Sequence, residues 1–247
     1  MDLAKFISLL SSEALYFSRP SEFHDPYEGY LPKSHIQAVS GIVQKVIDEQ
    51  LAFRDQVAAL QPNEDLKQFY DRFDEGVKQF IERSKNALVE ASLKFRVSCW
   101  HKSEFESEAM WRLYSSECIA IESTVGQLQS SFRDERKILI ENVRYMDFEN
   151  DSIETGYKHY GLFLKRKSFE YEKEVRAIVL LNNDCKGTLV KCDLDTLINC
   201  IHLSPSVPPY FKEIVGNILA GKVQSLNKPV RQSLLYEKPD YTLNLKC

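Results

Sequence analysis

Glycine and proline are both scarce, nine of each in 247 residues, which excludes collagen-like, glycine-linker and proline-rich architectures. No uninterrupted apolar run approaches the ~18 residues of a membrane span. The opening Met1-Asp2-Leu3-Ala4-Lys5-Phe6 lacks the basic stretch and long apolar core of a secretory signal. Neither sign of charge dominates, with 32 basic against 36 acidic residues, so a chain-wide nucleic-acid surface is disfavoured. There is no G-x-x-x-x-G-K-[ST], no G-x-G-x-x-G and no G-x-S-x-G, which removes P-loop NTPases, dinucleotide Rossmann enzymes and typical esterases. The six cysteines contain no C-x-x-C pair and the five histidines are scattered, so no metal is expected. The cysteines, five of them in or beside apolar stretches, read as small core residues. What remains is an ordinary globular composition and the expectation of a soluble, cytoplasmic protein.

What is present reads as an α+β chain. Leu3, Phe6, Ile7, Leu9 and Leu10 form a short helical stripe running into Ala14–Ser18, a short strand. From 34 to 94 the apolar residues recur at helical spacing, first Ile36, Val39, Ile42, Val43, Val46 and Leu51, then Leu66, Phe69, Tyr70, Phe73, Val77, Phe80, Ile81 and Leu88. The break at Gln61-Pro62-Asn63, with Asn63 as N-cap, predicts a long helical hairpin inserted into a single α+β domain over 1–247. That hairpin is scaffold, a lid, or a docking surface for a partner. Strands are expected at 95–100, 118–123, 138–145, 174–181, 187–192, 200–203 and 230–234, and helices at 107–114, 125–132, near 157–164 and at 209–219. Together they predict a central, mainly antiparallel mixed sheet of short strands.

Three polar-aromatic clusters carry candidate chemistry. The first, Arg19 to Gly29, holds Phe23, Pro26 and Tyr27 among its charges and is expected to pack rather than float. The second runs Ser98-Cys99-Trp100-His101 and then Glu106-Ser107-x-x-Met110-Trp111-x-x-Tyr114, gathering both tryptophans beside ionisable groups, either as a ligand platform or as ordinary core. The third is Lys165 through Arg176. If Glu172 and Glu174 open the strand they share one face, roughly 6–7 Å apart. Two carboxylates so placed can divide labour, one orienting a nucleophile and the other stabilising positive charge on a sugar carbon. A solvated strand edge is the plain alternative.

Leu15-Tyr16-Phe17-Ser18-Arg19-Pro20, Phe23-x-Asp25-Pro26-x-Glu28-Gly29, Ser98-Cys99-Trp100, Glu106-Ser107-x-x-Met110-Trp111-x-x-Tyr114, Phe169-x-x-Glu172-x-Glu174-x-Arg176 and Ser204-Pro205, in that order, resemble a bacterial domain-of-unknown-function family, number 2971. The resemblance covers nearly the whole chain outside the helical hairpin, and it specifies no reaction. Members usually carry an aromatic, basic strand just before the first helix. Met1 falls where that strand should end, which implies a shortened N-terminus.

A second, shorter likeness is to ADP-ribosyltransferases, through Glu172-Lys173-Glu174-Val175, which is similar to the E-x-E that opens a late strand in those enzymes. That likeness implies NAD as substrate and catalysis by Glu174 and Glu172, with Glu174 stabilising the cationic ribose and Glu172 positioning a protein or nucleic-acid acceptor. It places Ser98 on the middle strand and Arg19 or an upstream arginine early in the fold. Arg19 and Arg176 then meet the pyrophosphate, and Trp100, Trp111 or Tyr114 stack on the nicotinamide or adenine. Asp25, Glu28, His101 and Glu106 complete the nucleotide-facing set. A toxin or phage-defence effector fits this reading. Two rivals stay open: a nuclease or other hydrolase using Asp25, Glu28, His101 and Glu106, and a non-enzymatic ligand-sensing or interaction module.

Overall fold

The computed structural model describes residues 1–60, 66–114, 117–154, 161–181, 185–222 and 226–239. Its elements in chain order are α1 (Leu3–Ser12), β1 (Ala14–Ser18), a 3-10 turn (Pro20–Glu22), α2 (Lys33–Leu60), α3 (Leu66–Leu93), β2 (Phe95–His101), α4 (Glu108–Tyr114), β3 (Ile119–Glu122), α5 (Val125–Ser131), β4 (Ile138–Asn142), β5 (Arg144–Met146), β6 (Leu164–Arg166), a second 3-10 turn (Lys167–Glu172), β7 (Glu174–Leu180), β8 (Gly187–Lys191), α6 (Leu194–Leu197), β9 (Cys200–Leu203), α7 (Pro209–Lys222) and β10 (Val230–Gln232). The fold is α+β, with short strands in a mainly antiparallel arrangement. No helix among the described residues is long and apolar enough to cross a membrane.

The contacts group into two compact units, each assembled from separate stretches of chain. The first comprises Met1–Phe17, His101–Ile140 and Gly187–Cys247, and the second Ser18–Trp100 and Glu141–Lys186.

In the first unit α1 buries Phe6, Leu9 and Leu10, and Asp2 caps it by accepting the Lys5 backbone N–H at 2.8 Å. A three-stranded sheet in the order β10-β9-β3 pairs β9 antiparallel with β3 and parallel with β10. Thr124 and Gln127 form a reciprocal capping box that starts α5.

In the second unit the two 28-residue helices α2 and α3 lie side by side. Arg54 of α2 reaches Asp74 of α3 at 2.6 Å and lies over the Tyr70 ring. The predicted turn with Asn63 as N-cap lies outside the described residues. So does the first half of the helix expected near 157–164, whose described half is not helical but a turn leading into β6. Strand β7 is buried along all but its last residue, as a strand covered on both faces must be. It neighbours β2, and Ser18, closing β1, pairs antiparallel with Val97 of β2.

One glycine decides how closely the loop after Arg19 can pack. Gly161 sits at φ +76°, and a β-carbon there would come within 2.2 Å of the Tyr30 carbonyl oxygen and 2.7 Å of that of Gly29. Both obstacles are backbone and cannot swing aside. Gly161→Ala is therefore expected to cost about 2–4 kcal/mol, read as a clear drop in melting temperature by calorimetry. An unchanged melting temperature would show that the loop and Gly161 do not meet so closely.

A buried charge network as candidate functional site

The second unit contains a cluster of charges far from the water that ionised groups prefer. The loop supplies two acids. Asp25 accepts the Tyr27 backbone N–H at 3.0 Å, the Glu28 N–H donates to the Asp25 carbonyl at 3.1 Å, and Gly29 follows at φ +78°. This Asx turn curls the loop so that both carboxylates point inward, leaving Asp25 and Glu28 only 5% and 6% exposed. Strand β7 supplies Glu174 and Arg176, two residues apart and hence on one face, with Arg176 Nε donating to Glu174 at 2.5 Å. Strand β6 supplies Lys165 and Arg166. Apolar contacts among Met146, Phe148 and Leu164, joined by Leu31 and Ile153, anchor β5 and β6.

Glu172 does not open the strand, contrary to the spacing argument. It ends the 3-10 turn, and Lys173, at φ +42°, separates it from β7 through a left-handed residue. The two carboxylates nevertheless converge, because Lys165 Nζ donates to both, at 2.8 Å to Glu174 and at short range to Glu172.

Every strong group in the cluster has a partner. Arg176 Nη2 donates to both oxygens of Glu28 at 2.6 and 3.0 Å, and its Nη1 donates to the Leu162 carbonyl at 2.7 Å. Arg166 pairs with Asp25 at 2.6 Å and is stacked over the rings of Tyr27 and Phe169. The Glu174 backbone N–H donates to the Tyr145 hydroxyl at 2.8 Å. Burial lifts that phenol's pKa to about 12.

Four carboxylates thus face three cations, an excess of negative charge that favours a proton on one of them. Burial first, then a hydrogen bond with Glu174, raises Glu172 to about 7, against the pull of Lys165. Burial alone would raise Glu174 too, but the bond from Glu172 together with Arg176 and Lys165 outweighs it and holds Glu174 well below the usual carboxylate range. Burial also raises Glu28, more than Arg176 lowers it. The Cys99 thiol on β2 feels Arg176, Glu174, Glu28 and Lys165, and burial drives it far upward, so it stays protonated and inert.

These shifts make stability depend on pH in a definite sense. Between about pH 4.5 and 7 the folded chain keeps the Glu172 proton that the unfolded chain releases, so this contribution is complete below that window and is lost as pH rises through it. Glu174 acts oppositely, and its contribution is lost only as pH falls below about 4.5 towards 2. Urea unfolding should show stability falling by about 2 kcal/mol between pH 5 and 8, with the fall absent in Glu172→Gln. Parallel profiles for the two proteins would assign the proton elsewhere.

Of the residues singled out from sequence, Asp25, Glu28, Glu172, Glu174 and Arg176 are brought together. Arg176 is 1% exposed with its guanidinium committed to protein acceptors, so here it holds Glu28 and Glu174 rather than presenting itself to a pyrophosphate. Arg19 directs Nη2 to the Cys185 carbonyl at 3.2 Å. Ser98 and Trp100 alternate with Cys99 along β2 and so project opposite to the thiol that senses the network. The buried Trp100 indole N–H meets no acceptor among the described residues.

His101, Glu106, Trp111 and Tyr114 belong to the first unit. There Trp111 Nε1 donates to Glu106 at 3.2 Å, Ser233 donates to the same carboxylate, and Tyr114 is half exposed. Lys165 and Arg166 went unassigned as site residues, although a basic pair just ahead of an acidic strand start was a readable signal. Arg96, fully buried and donating to the carbonyls of Cys185, Leu93 and Phe95, had no such signal.

No protein-family model, curated protein or solved structure matches this chain.

Proposed function

We propose that this protein is an ADP-ribosyltransferase-like enzyme that breaks the N-glycosidic bond of NAD, a relative of family 2971 as its motif series suggests. Glu174 is the fixed anion beside the ribose and Glu172 the carboxyl that carries a proton. One observation carries the reading: two carboxylates converge on one buried lysine, and their environments push them apart, one towards neutrality near pH 7 and the other into permanent ionisation. Such divergence is how a protein assigns acid-base and electrostatic roles to chemically identical groups. Glu172 is also the more accessible of the pair, 12% against 8% for its side chain. Beside it Tyr27, Phe169 and the one-third-exposed Arg166 form a cationic, aromatic rim suited to a nucleotide. The test is nicotinamide release from NAD by the wild type and by Glu174→Gln. Turnover in the first and its loss in the second are expected, and no release by the wild type would end the proposal.

A second reading rests on a different observation. Arg176 spends its guanidinium inside the protein, which is what a clamp between loop 19–30 and β7 requires and catalysis does not. On this reading the network fixes the loop as part of a ligand-sensing or interaction module. Glu172→Gln would then change stability and its pH dependence while leaving no activity to alter.

A further inference from the structure

We infer that the first unit carries a divalent transition-metal site, of the zinc type, formed by Glu122, Cys200 and His202 on one face of its three-stranded sheet. The sequence argument against metal rested on the absence of C-x-x-C and of paired histidines, which are spacings suited to turns and helices. A strand offers another spacing. Residues two apart on a strand project to the same face, and Cys200 and His202 are two apart on β9. The antiparallel register then sets Glu122 of β3 directly opposite Cys200, with Ala120 opposite His202. Directly opposed residues share a face, so a thiol, an imidazole and a carboxylate stand together although the chain separates the first strand from the second by the whole of the second unit's later segment.

The distances suit a single ion. One donor atom from each of the three residues lies within 4.8 Å of the others. His202 Nε2 and Glu122 Oε2 are 2.7 Å apart. The small alanine opposite His202 leaves the imidazole room on the sheet surface. Cys200 is buried, and its thiol makes a contact of 3.4 Å with the Pro229 carbonyl. His202 is partly buried and Glu122 half exposed, so the cluster is closed beneath and open above. Strand β10 pairs Arg231 with His202 in parallel register; without an ion, burial raises the Cys200 thiol's pKa, and Arg231 only partly opposes it.

Ligand chemistry selects the metal class. Thiolate and imidazole together favour Zn²⁺ over Mg²⁺ or Ca²⁺, which prefer all-oxygen shells. Three protein donors leave the fourth tetrahedral position to water on the open side. That is the arrangement of a zinc site that binds or activates a ligand rather than one that only braces a fold. Binding must expel the Cys200 proton, so affinity rises with pH. The competing description is a cross-strand His–Glu ion pair with a core cysteine beneath it.

The full chain, stripped of metal by a chelator, is titrated with Co²⁺ and then with Zn²⁺. One equivalent of Co²⁺ should give a thiolate-to-cobalt charge-transfer band and the intense visible bands of a tetrahedral ion, both abolished by Zn²⁺. The charge-transfer band should vanish in Cys200→Ser. Affinity should fall at least about tenfold in both His202→Gln and Glu122→Gln, two changes at solvent-reaching side chains that keep the test decisive should Cys200→Ser fold poorly. No charge-transfer band in the wild type, a band that survives Cys200→Ser, or an unchanged affinity in either of the other variants overturns the site.

Discussion

Replacing Arg176 with methionine is expected to destabilise the protein by about 3–5 kcal/mol, a fall in melting temperature of roughly 10 °C for a chain of this size. The side chain is 1% exposed and serves Glu28, Glu174 and the Leu162 carbonyl together. Methionine fills much of its volume but donates nothing. Glu28 is then left buried with no cation of its own, while Glu174 keeps Lys165. The loss is therefore the penalty for an orphaned carboxylate and a bare carbonyl more than the net worth of the ion pairs, which desolvation largely cancels.

Two comparisons separate that account from simple mispacking. Because a proton can replace the missing cation on Glu28, the variant should recover towards wild-type stability as pH falls to about 4.5. Adding Glu28→Leu to Arg176→Met should restore part of the loss, since both charged partners are then gone. A single variant within 2 °C of wild type, or a deficit that ignores pH, would show that Arg176 is not the hub of the network.

On the proposed NAD-cleaving function, loss of turnover in Glu174→Gln is the second large effect expected, about 10²–10⁴-fold in kcat. Glutamine matches glutamate in shape, and its carbonyl still accepts from one of Lys165 and Arg176. What disappears, on that proposal, is the fixed negative charge assigned to face the carbon that becomes cationic when nicotinamide departs. A loss confined to kcat, with KM little changed, is the signature of an interaction made in the transition state. Glu172→Gln should behave differently. It removes the proton carrier, so the inflection near pH 7 expected in the wild-type kcat/KM profile should vanish along with much of the rate. Turnover persisting in Glu174→Gln would leave the clamp as the account of the network. A melting temperature close to wild type guards against reading unfolding as lost chemistry.

The elements follow the sequence closely where a periodic apolar pattern is long. The stripes from Ile36 to Leu51 and from Leu66 to Leu88 became α2 and α3, and Glu174–Leu181 became the most buried strand. The loop from Arg19 to Gly29 packs only in part as expected: Pro20, Asp25, Glu28 and Gly29 are buried, whereas Phe23 is half-buried and Pro26 and Tyr27 are exposed, so its acids rather than its apolar groups go inward. Expectations weakened where the pattern was short. The strand expected over 138–145 breaks at Val143, whose N–H donates to the Glu174 carbonyl, and continues separately as β5. Glu172 left the strand because Lys173 adopts a left-handed conformation, which a lysine seldom does. Spacing alone could not anticipate that.

Amino-acid order by itself determined the long helices, the strongest strand and the crowding of acids and bases around β7, because those properties depend on neighbours three or four positions away or fewer. Short elements such as β6 and α6 were not legible. Only the tertiary structure decided which charges meet. Glu28 and Arg176 are 148 positions apart, Asp25 and Arg166 141, and Glu122 reaches Cys200 only through strand register. Such pairings are selected by the requirement that no buried charge be left without a counter-charge or hydrogen bond, a condition imposed by the whole fold and carried by no local stretch of it.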